Sequence, residues 1–147
     1  MGSRRFLCFT YGDLMLYILI LTDNELSYDS YSEDFLIGIF ETEIQAEQTA
    51  EFYLKNVKGF CEYSCNYKII PKQINDNVIS DRVWIIYGYD INENSDEVNI
   101  IESQCYSTRE TAESELEYMK TKYTRDEWDM SCLVIGKKNW QDGFERI

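Results

Sequence analysis

Residues 42–57 read TEIQAEQTAEFYLKNV, and residues 108–123, placed 66 positions further along the chain, read TRETAESELEYMKTKY. Each stretch carries apolar side chains at i, i+4, i+7 and i+11, the spacing of one face of a helix. These positions hold Ala46, Ala50, Tyr53 and Val57 in the first stretch and Ala112, Leu116, Met119 and Tyr123 in the second. Both stretches therefore predict an amphipathic helix whose apolar stripe faces a core.

A hydroxyl residue stands in front of each predicted helix. Thr42 is followed three residues later by Gln45, and Ser107 is followed three residues later by Glu110. This is the spacing of a capping box, in which two side chains satisfy the unpaired amides of the first helical turn. A helix is predicted to begin at each site, and Gly59 is expected to end the first one.

The 66-residue shift extends beyond the helices. Between residues 17 and 72 it gives the identities Ile20/Ile86, Thr42/Thr108, Ala46/Ala112, Glu47/Glu113, Glu51/Glu117, Ile69/Ile135 and Lys72/Lys138. Identities are few, so the repeat is carried by the pattern of apolar and polar residues. Two copies of one small unit are predicted, arranged as a pseudo-symmetric pair.

Each copy is predicted to contain strand, strand, helix and strand. The predicted strands are 16–21, 35–40 and 67–70 in the first copy and 83–89, 98–106 and 133–135 in the second. Pro71 is expected to stop the last strand of the first copy, because proline cannot donate to a ladder. The fold class is therefore α+β, with mainly antiparallel sheet. The predicted division is an arm or leader at 1–13, a first unit at 14–72, a linker at 73–81 and a second unit at 82–147.

Several common kinds of site find no support in the sequence. The chain contains no histidine, which removes the commonest general base and metal ligand. None of the seven glycines forms a phosphate-binding loop of the usual patterns. Asp90 to Glu97 alternates like the start of an EF-hand but lacks its glycine and its final glutamate, so a solvated hairpin tip is the preferred interpretation. No catalytic residue, cofactor or metal is predicted, and the protein is expected not to be an enzyme.

The longest apolar run, Leu14 to Leu21, is eight residues long and too short to cross a bilayer. The five cysteines show no CxxC pair, and reduced, partly buried thiols are expected. Neither feature points to a membrane or a secretory setting, and a cytoplasmic location is expected.

Negative charge is concentrated in the same part of each copy. Of the net charge of −13, residues 23–51 carry nine acids and no base, and residues 90–117 carry nine acids and one base, Arg109. Like charges at i and i+4 destabilise a helix, so such rows need an explanation. One is a solvated face that confers solubility. The other is a surface that binds a basic partner, with the candidate residues Glu43, Glu47, Glu51, Glu110, Glu113, Glu117, Asp29, Asp90, Asp96, Tyr28, Tyr31 and Tyr89.

The tail Trp140-Gln141-Asp142-Gly143-Phe144 resembles the W-x-x-G-F ending of small, uncharacterised bacterial and phage strand-strand-helix-strand domains. The resemblance covers Val83 to Phe144 and implies a fold without an activity. The small size, strong acidity and tandem form also resemble phage-encoded inhibitors of host defence, of the anti-CRISPR or anti-restriction type.

These features favour a non-enzymatic inhibitor that occupies the nucleic-acid-binding surface of a basic host protein. Direct binding to nucleic acid is disfavoured because both molecules are polyanions. Two alternatives remain. A tandem ligand-sensing domain would hold a small molecule between the copies, and an immunity protein would neutralise a basic toxin.

Overall fold

The computed structural model describes residues 14–24, 33–75, 80–91 and 99–146. The chain separates into two compact units. We call them the first unit, which combines Met15–Lys72 with the chain from Val134 onward, and the second unit, which combines Gln73–Leu133 with Leu14. Each unit is described by itself below.

Each unit has the order strand, strand, helix, strand. The first unit contains β1 (Met15–Asp23), β2 (Glu33–Phe40), α1 (Glu43–Asn56) and β3 (Cys65–Gln73). The second contains β4 (Arg82–Asp90), β5 (Asn99–Glu102), α2 (Arg109–Lys122) and β6 (Glu127–Val134). The antiparallel sheets have the orders β2-β1-β3 and β5-β4-β6, with a helix packed against each. The predicted α+β class and the tandem repeat are confirmed.

Both helices start at the residues that the 66-residue shift makes equivalent. Thr42 caps α1, its hydroxyl accepts from the backbone N–H of Gln45, and Gln45 returns the bond to the Thr42 N–H, so the predicted capping box is confirmed. The box predicted from Ser107 is wrong. Thr108 caps α2 instead and accepts from the backbone N–H of Thr111, one residue later than expected. Ser107 is buried, which removes it from the position of an exposed cap.

The apolar stripe of α1 lies in the core, as predicted. Ala46, Ala50, Tyr53 and Val57 are all buried against the sheet residues of the first unit. In α2 the stripe is less complete, because Tyr123 is 37% exposed while Ala112 and Met119 are buried. The helix α1 ends at Asn56, before Gly59, which lies in the following turn with a positive φ of 84°.

Two strand predictions need correction. Pro71 does not end the third strand, because β3 continues through it to Gln73. The sheet order places β3 at an edge, where a residue without an N–H is tolerated. The strand predicted at 98–106 is interrupted after Glu102: the Ser103 hydroxyl accepts from the Ile86 N–H at 2.8 Å, and pairing resumes between Trp84 and Tyr106.

The C-terminal segment, residues 134–146, belongs to the first unit, although the sequence division placed it in the second. It runs along the outer edge of β2: Ile135 pairs in parallel with Ile39, and the N–H of Asn139 donates to the Ile37 carbonyl at 2.7 Å. A Cβ on Gly38 would come within 2.4 Å of the Lys137 carbonyl oxygen, so only glycine admits the segment there. The segment covers a strand edge that would otherwise expose unpaired backbone groups.

The region expected to be a linker, 73–81, is partly structured. Ile74 is fully buried and forms a parallel bridge with Cys105 in the second unit. The Asn75 N–H donates to the Cys105 carbonyl at 3.0 Å, and the Cys105 N–H donates to the Gln73 carbonyl at 2.9 Å. Each unit is therefore completed by a segment that follows the last strand of the other repeat in the chain. Residues 76–79 lie outside the described part.

Aromatic side chains fasten the C-terminal segment to the first unit. The Phe144 ring stacks on Phe35 with centroids 4.6 Å apart and meets Phe60 edge-on at 4.9 Å. The Trp140 ring meets Phe35 edge-on at 4.9 Å, and the Tyr53 hydroxyl donates to the Asn139 carbonyl at 2.7 Å. Aromatic pairs of this kind contribute about 0.5–1.5 kcal/mol each beyond the area that they bury.

Gly143 should not tolerate a side chain. Its φ is 77°, and an added Cβ would lie 2.0 Å from the Lys58 carbonyl oxygen. We expect Gly143→Ala to lower the free energy of unfolding by more than about 2 kcal/mol, since it combines left-handed strain with a clash against backbone. Gly136→Ala is the matched control, because Gly136 has a φ of 84° but open space around its Cα, so it should cost only about 1–2 kcal/mol. Equal losses in urea unfolding would contradict the close packing at Gly143.

Candidate partner-binding surfaces

The acidic surface of α1 consists of Glu43, Glu47 and Glu51, which stand one turn apart on one flank of the helix. Glu43 and Glu51 are exposed and Glu47 is half-buried. None of the three forms an ion pair with a residue in the described part of the chain. Glu43 lies in the first turn and gains from the helix dipole, whereas Glu47 and Glu51 lie beyond its reach. Their mutual repulsion is therefore uncompensated within the described structure.

The acidic surface of α2 consists of Glu110, Glu113 and Glu117, all exposed. It is partly balanced by bases on the same helix. The Arg109 Nε lies 3.7 Å from the Glu113 carboxylate, and the Lys120 Nζ lies 4.0 Å from that of Glu117. Exposed pairs of this kind contribute about 0–1 kcal/mol to stability. Their main effect here is to neutralise part of the negative charge on the surface of α2. The two acidic surfaces are thus unequal, because two carboxylates of α2 have ion-pair partners on their own helix whereas those of α1 have none among the described residues.

Sequence reasoning missed a second row of residues on α1. Ile44, Gln48 and Phe52 follow one another at i+4 spacing, next to the acidic row. Ile44 is 64% exposed and Phe52 is 58% exposed. In α2 the residue equivalent to Phe52 is Tyr118, which is 53% exposed. The sequence shows that these side chains lie off the core stripe of each helix. It does not show that they are exposed, because that depends on which other elements pack against the helix.

Tyr89 and Asp90, two predicted contact residues, have structural partners at the end of β4. The Tyr89 hydroxyl donates to the Glu127 carboxylate at 2.9 Å, and this bond, followed by the charge of Glu127, raises the pKa of Tyr89. The Asp90 carboxylate accepts from the Asp126 N–H at 3.0 Å, and the Asp126 carboxylate accepts from the Ile91 N–H at 2.9 Å. These bonds tie β4 to the start of β6. The candidates Asp29, Asp96, Tyr28 and Tyr31 lie outside the described residues, as does most of the EF-hand-like loop.

Tyr87, on the same strand, provides a test of burial in the second unit. Burial, followed by the charge of Glu102, raises its pKa from 10.0 to about 12. Because the folded pKa exceeds the unfolded one, the stability that Tyr87 contributes is complete below pH 10 and is lost as the pH rises toward 12. We expect Tyr87→Phe to remove a late component from the absorbance titration at 295 nm in the folded protein. In urea, where every tyrosine is solvated, the late component should be absent from both proteins; if Tyr87→Phe leaves the folded titration unchanged, the assignment is wrong.

Three other kinds of feature are relevant among the described residues: metal-ligand groups, membrane-spanning helices and cysteine side chains. Within the described ranges there is no group of three or more His, Cys, Asp or Glu residues that could hold a metal ion. No helix among the described residues is both long and apolar enough to span a membrane. Cys61 and Cys132 are exposed, and Cys105 is buried.

Comparison with protein-family models, curated proteins and solved structures finds no match for this chain.

Proposed function

We propose that this protein is a non-enzymatic inhibitor that binds a basic partner through the acidic surfaces of its two helices and occupies the surface that the partner uses for nucleic acid. The observation that carries the proposal is the pairing of two rows on α1. Carboxylates without ion-pair partners in the described chain stand beside the exposed apolar side chains of Ile44 and Phe52.

A face that only confers solubility has no need of the second row. Burying a large apolar side chain is worth about 1.5–3 kcal/mol, and Ile44 and Phe52 forgo most of that in the free protein. In a complex both residues would be desolvated, and aromatic residues of this kind are frequent anchors of protein interfaces. The carboxylates would then supply orientation and rapid association, as charge does at many interfaces.

The net charge also restricts the class of partner that the protein can bind. A net charge of −13 repels DNA and RNA, so direct binding to either is disfavoured. A protein that binds nucleic acid presents Lys and Arg side chains at positions set by the phosphates. Carboxylates at helical spacing can pair with the same side chains. Its small size and acidity resemble those of phage inhibitors of restriction or CRISPR systems, and in that setting it would act in the cytoplasm of the host cell. An immunity protein against a basic toxin would use the same surface.

The proposal is tested by affinity capture with the immobilised protein, followed by displacement. A host lysate is applied at low salt, and the column is eluted separately with duplex DNA, with RNA and with high salt. We expect a basic nucleic-acid-binding protein to be released by nucleic acid and by salt, since both compete for the same Lys and Arg side chains. Capture of proteins that only detergent or denaturant releases would contradict the proposal.

A further inference from the structure

A cavity of about 360 Å³ lies within the first unit, between α1 and the C-terminal segment. Phe40, Phe52 and Ile135 form its apolar wall. Phe40 is buried, whereas Phe52 is 58% exposed at the rim. The volume is at the lower end of the range for small-molecule sites and suits a small ligand better than a large cofactor.

Two opposite charges line the same cavity. Glu41 precedes α1, and Lys138 lies on the C-terminal segment between Gly136 and Asn139, whose N–H groups bond to the edge of β2. Both side chains are exposed, and neither forms an ion pair with the described residues. The charged lining therefore sums to zero, in a protein that is otherwise strongly acidic.

The polar wall is completed by amides. Gln45 already uses its side-chain oxygen to accept from the Thr42 N–H, so its NH₂ group remains available as a donor. The Gln48 side chain is exposed three residues further along α1 and can donate or accept. A ligand that fits must therefore satisfy one cation, one anion and at least one donor while covering aromatic surface.

We propose that this cavity binds a zwitterionic α-amino acid with an apolar side chain. Lys138 pairs with the α-carboxylate, Glu41 pairs with the α-ammonium group, and the side chain packs on Phe40 and Phe52. A purely anionic ligand would meet Glu41, and a purely cationic one would meet Lys138, each at the cost of like-charge repulsion. A zwitterion instead satisfies both groups as they are desolvated.

The second repeat lacks the same lining. The 66-residue shift places Ser107 opposite Glu41 and Thr111 opposite Gln45, and Ser107 is buried. No carboxylate stands at the first position there. The proposal therefore predicts one amino-acid site per chain, a stoichiometry that calorimetry reads directly.

The experiment titrates the intact protein with L-leucine, L-isoleucine, L-methionine and L-phenylalanine by calorimetry and by amide chemical shifts. We expect saturable 1:1 binding by at least one of them, with shifts at Gly136 and Gln48. The amide of the best ligand, which lacks the carboxylate, and its decarboxylated amine should both bind at least roughly tenfold more weakly. The absence of saturation with all four amino acids at about 10 mM would overturn the proposal.

Variants provide a second, independent arm. Glu41→Gln and Lys138→Met should each weaken binding at least roughly tenfold, whereas Lys137→Met and Glu62→Gln, which change exposed charges outside the cavity, should not. Equal binding by all four variants would overturn the assignment. Glu47→Lys with Glu51→Lys should retain amino-acid binding, so this site and the proposed partner surface can fail separately.

Discussion

Replacing Arg146 with Met is expected to lower the free energy of unfolding by about 3–5 kcal/mol. The Arg146 guanidinium holds both oxygens of the Asp23 carboxylate, with Nε 3.1 Å from Oδ2 and Nη2 on Oδ1, and lies 3.8 Å from the centroid of the Tyr63 ring. Asp23 is fully buried at the end of β1. Removing the guanidinium leaves the Asp23 carboxylate in the interior without this counter-charge.

Urea unfolding followed by circular dichroism measures the loss. The matched control is Lys58→Met, which breaks an exposed ion pair that Lys58 makes with Glu145 of the C-terminal segment. This variant should leave the unfolding midpoint nearly unchanged. The double variant Asp23→Asn, Arg146→Met should recover part of the stability, because it removes the buried charge as well as its partner. If Arg146→Met unfolds at the same urea concentration as the wild type, the C-terminal segment is not held in place by this pair.

Reversing Glu47, Glu51, Glu113 and Glu117 to Lys is expected to weaken binding to the captured partner by at least roughly a hundredfold. Four attractive carboxylates become repulsive ammonium groups on the two surfaces proposed to meet the partner. The association rate should fall, and its decrease with added salt should weaken or reverse, because the attraction that steers the two proteins together is replaced by repulsion that salt screens. Surface plasmon resonance at several salt concentrations separates this from an effect on dissociation.

A control with the same total charge distinguishes a specific surface from a general field. Reversal of Glu33, Glu62, Asp129 and Asp142, which are exposed and lie off the two acidic surfaces, also changes the net charge from −13 by eight units, to −5. This variant should retain most of the affinity. Equal loss in both variants, with unchanged circular dichroism, would mean that only the net charge matters.

The parts of the fold that were predicted from sequence are those set by neighbouring residues. The Thr42 capping box and the stripe of Ala46, Ala50 and Tyr53 depend on contacts one to four residues apart and on a single buried face. The parts that were not predicted depend on distant partners. The tail Trp140 to Phe144 is visibly apolar, but its spacing does not reveal that Phe144 packs on Phe35, more than a hundred residues earlier in the chain.

The candidate site shows the same limit. Spacing alone places each acidic row on one flank of its own helix, Glu43, Glu47 and Glu51 on α1 and Glu113 and Glu117 on α2. Which of them carry ion pairs could not, since the Arg109–Glu113 contact depends on side-chain placement. The position of Tyr89 near an acidic hairpin predicts a free contact residue, yet its hydroxyl donates to Glu127, a residue 38 positions away.

In the proposed function, this protein and nucleic acid compete for one surface of the partner. The most direct measurement adds the protein to the purified partner bound to labelled nucleic acid and follows fluorescence anisotropy at low salt. We predict that the wild-type protein releases the nucleic acid completely, whereas the variant with Lys at positions 47, 51, 113 and 117 releases none. A ternary complex, in which the partner holds both the protein and undiminished nucleic acid, would contradict competition for one surface.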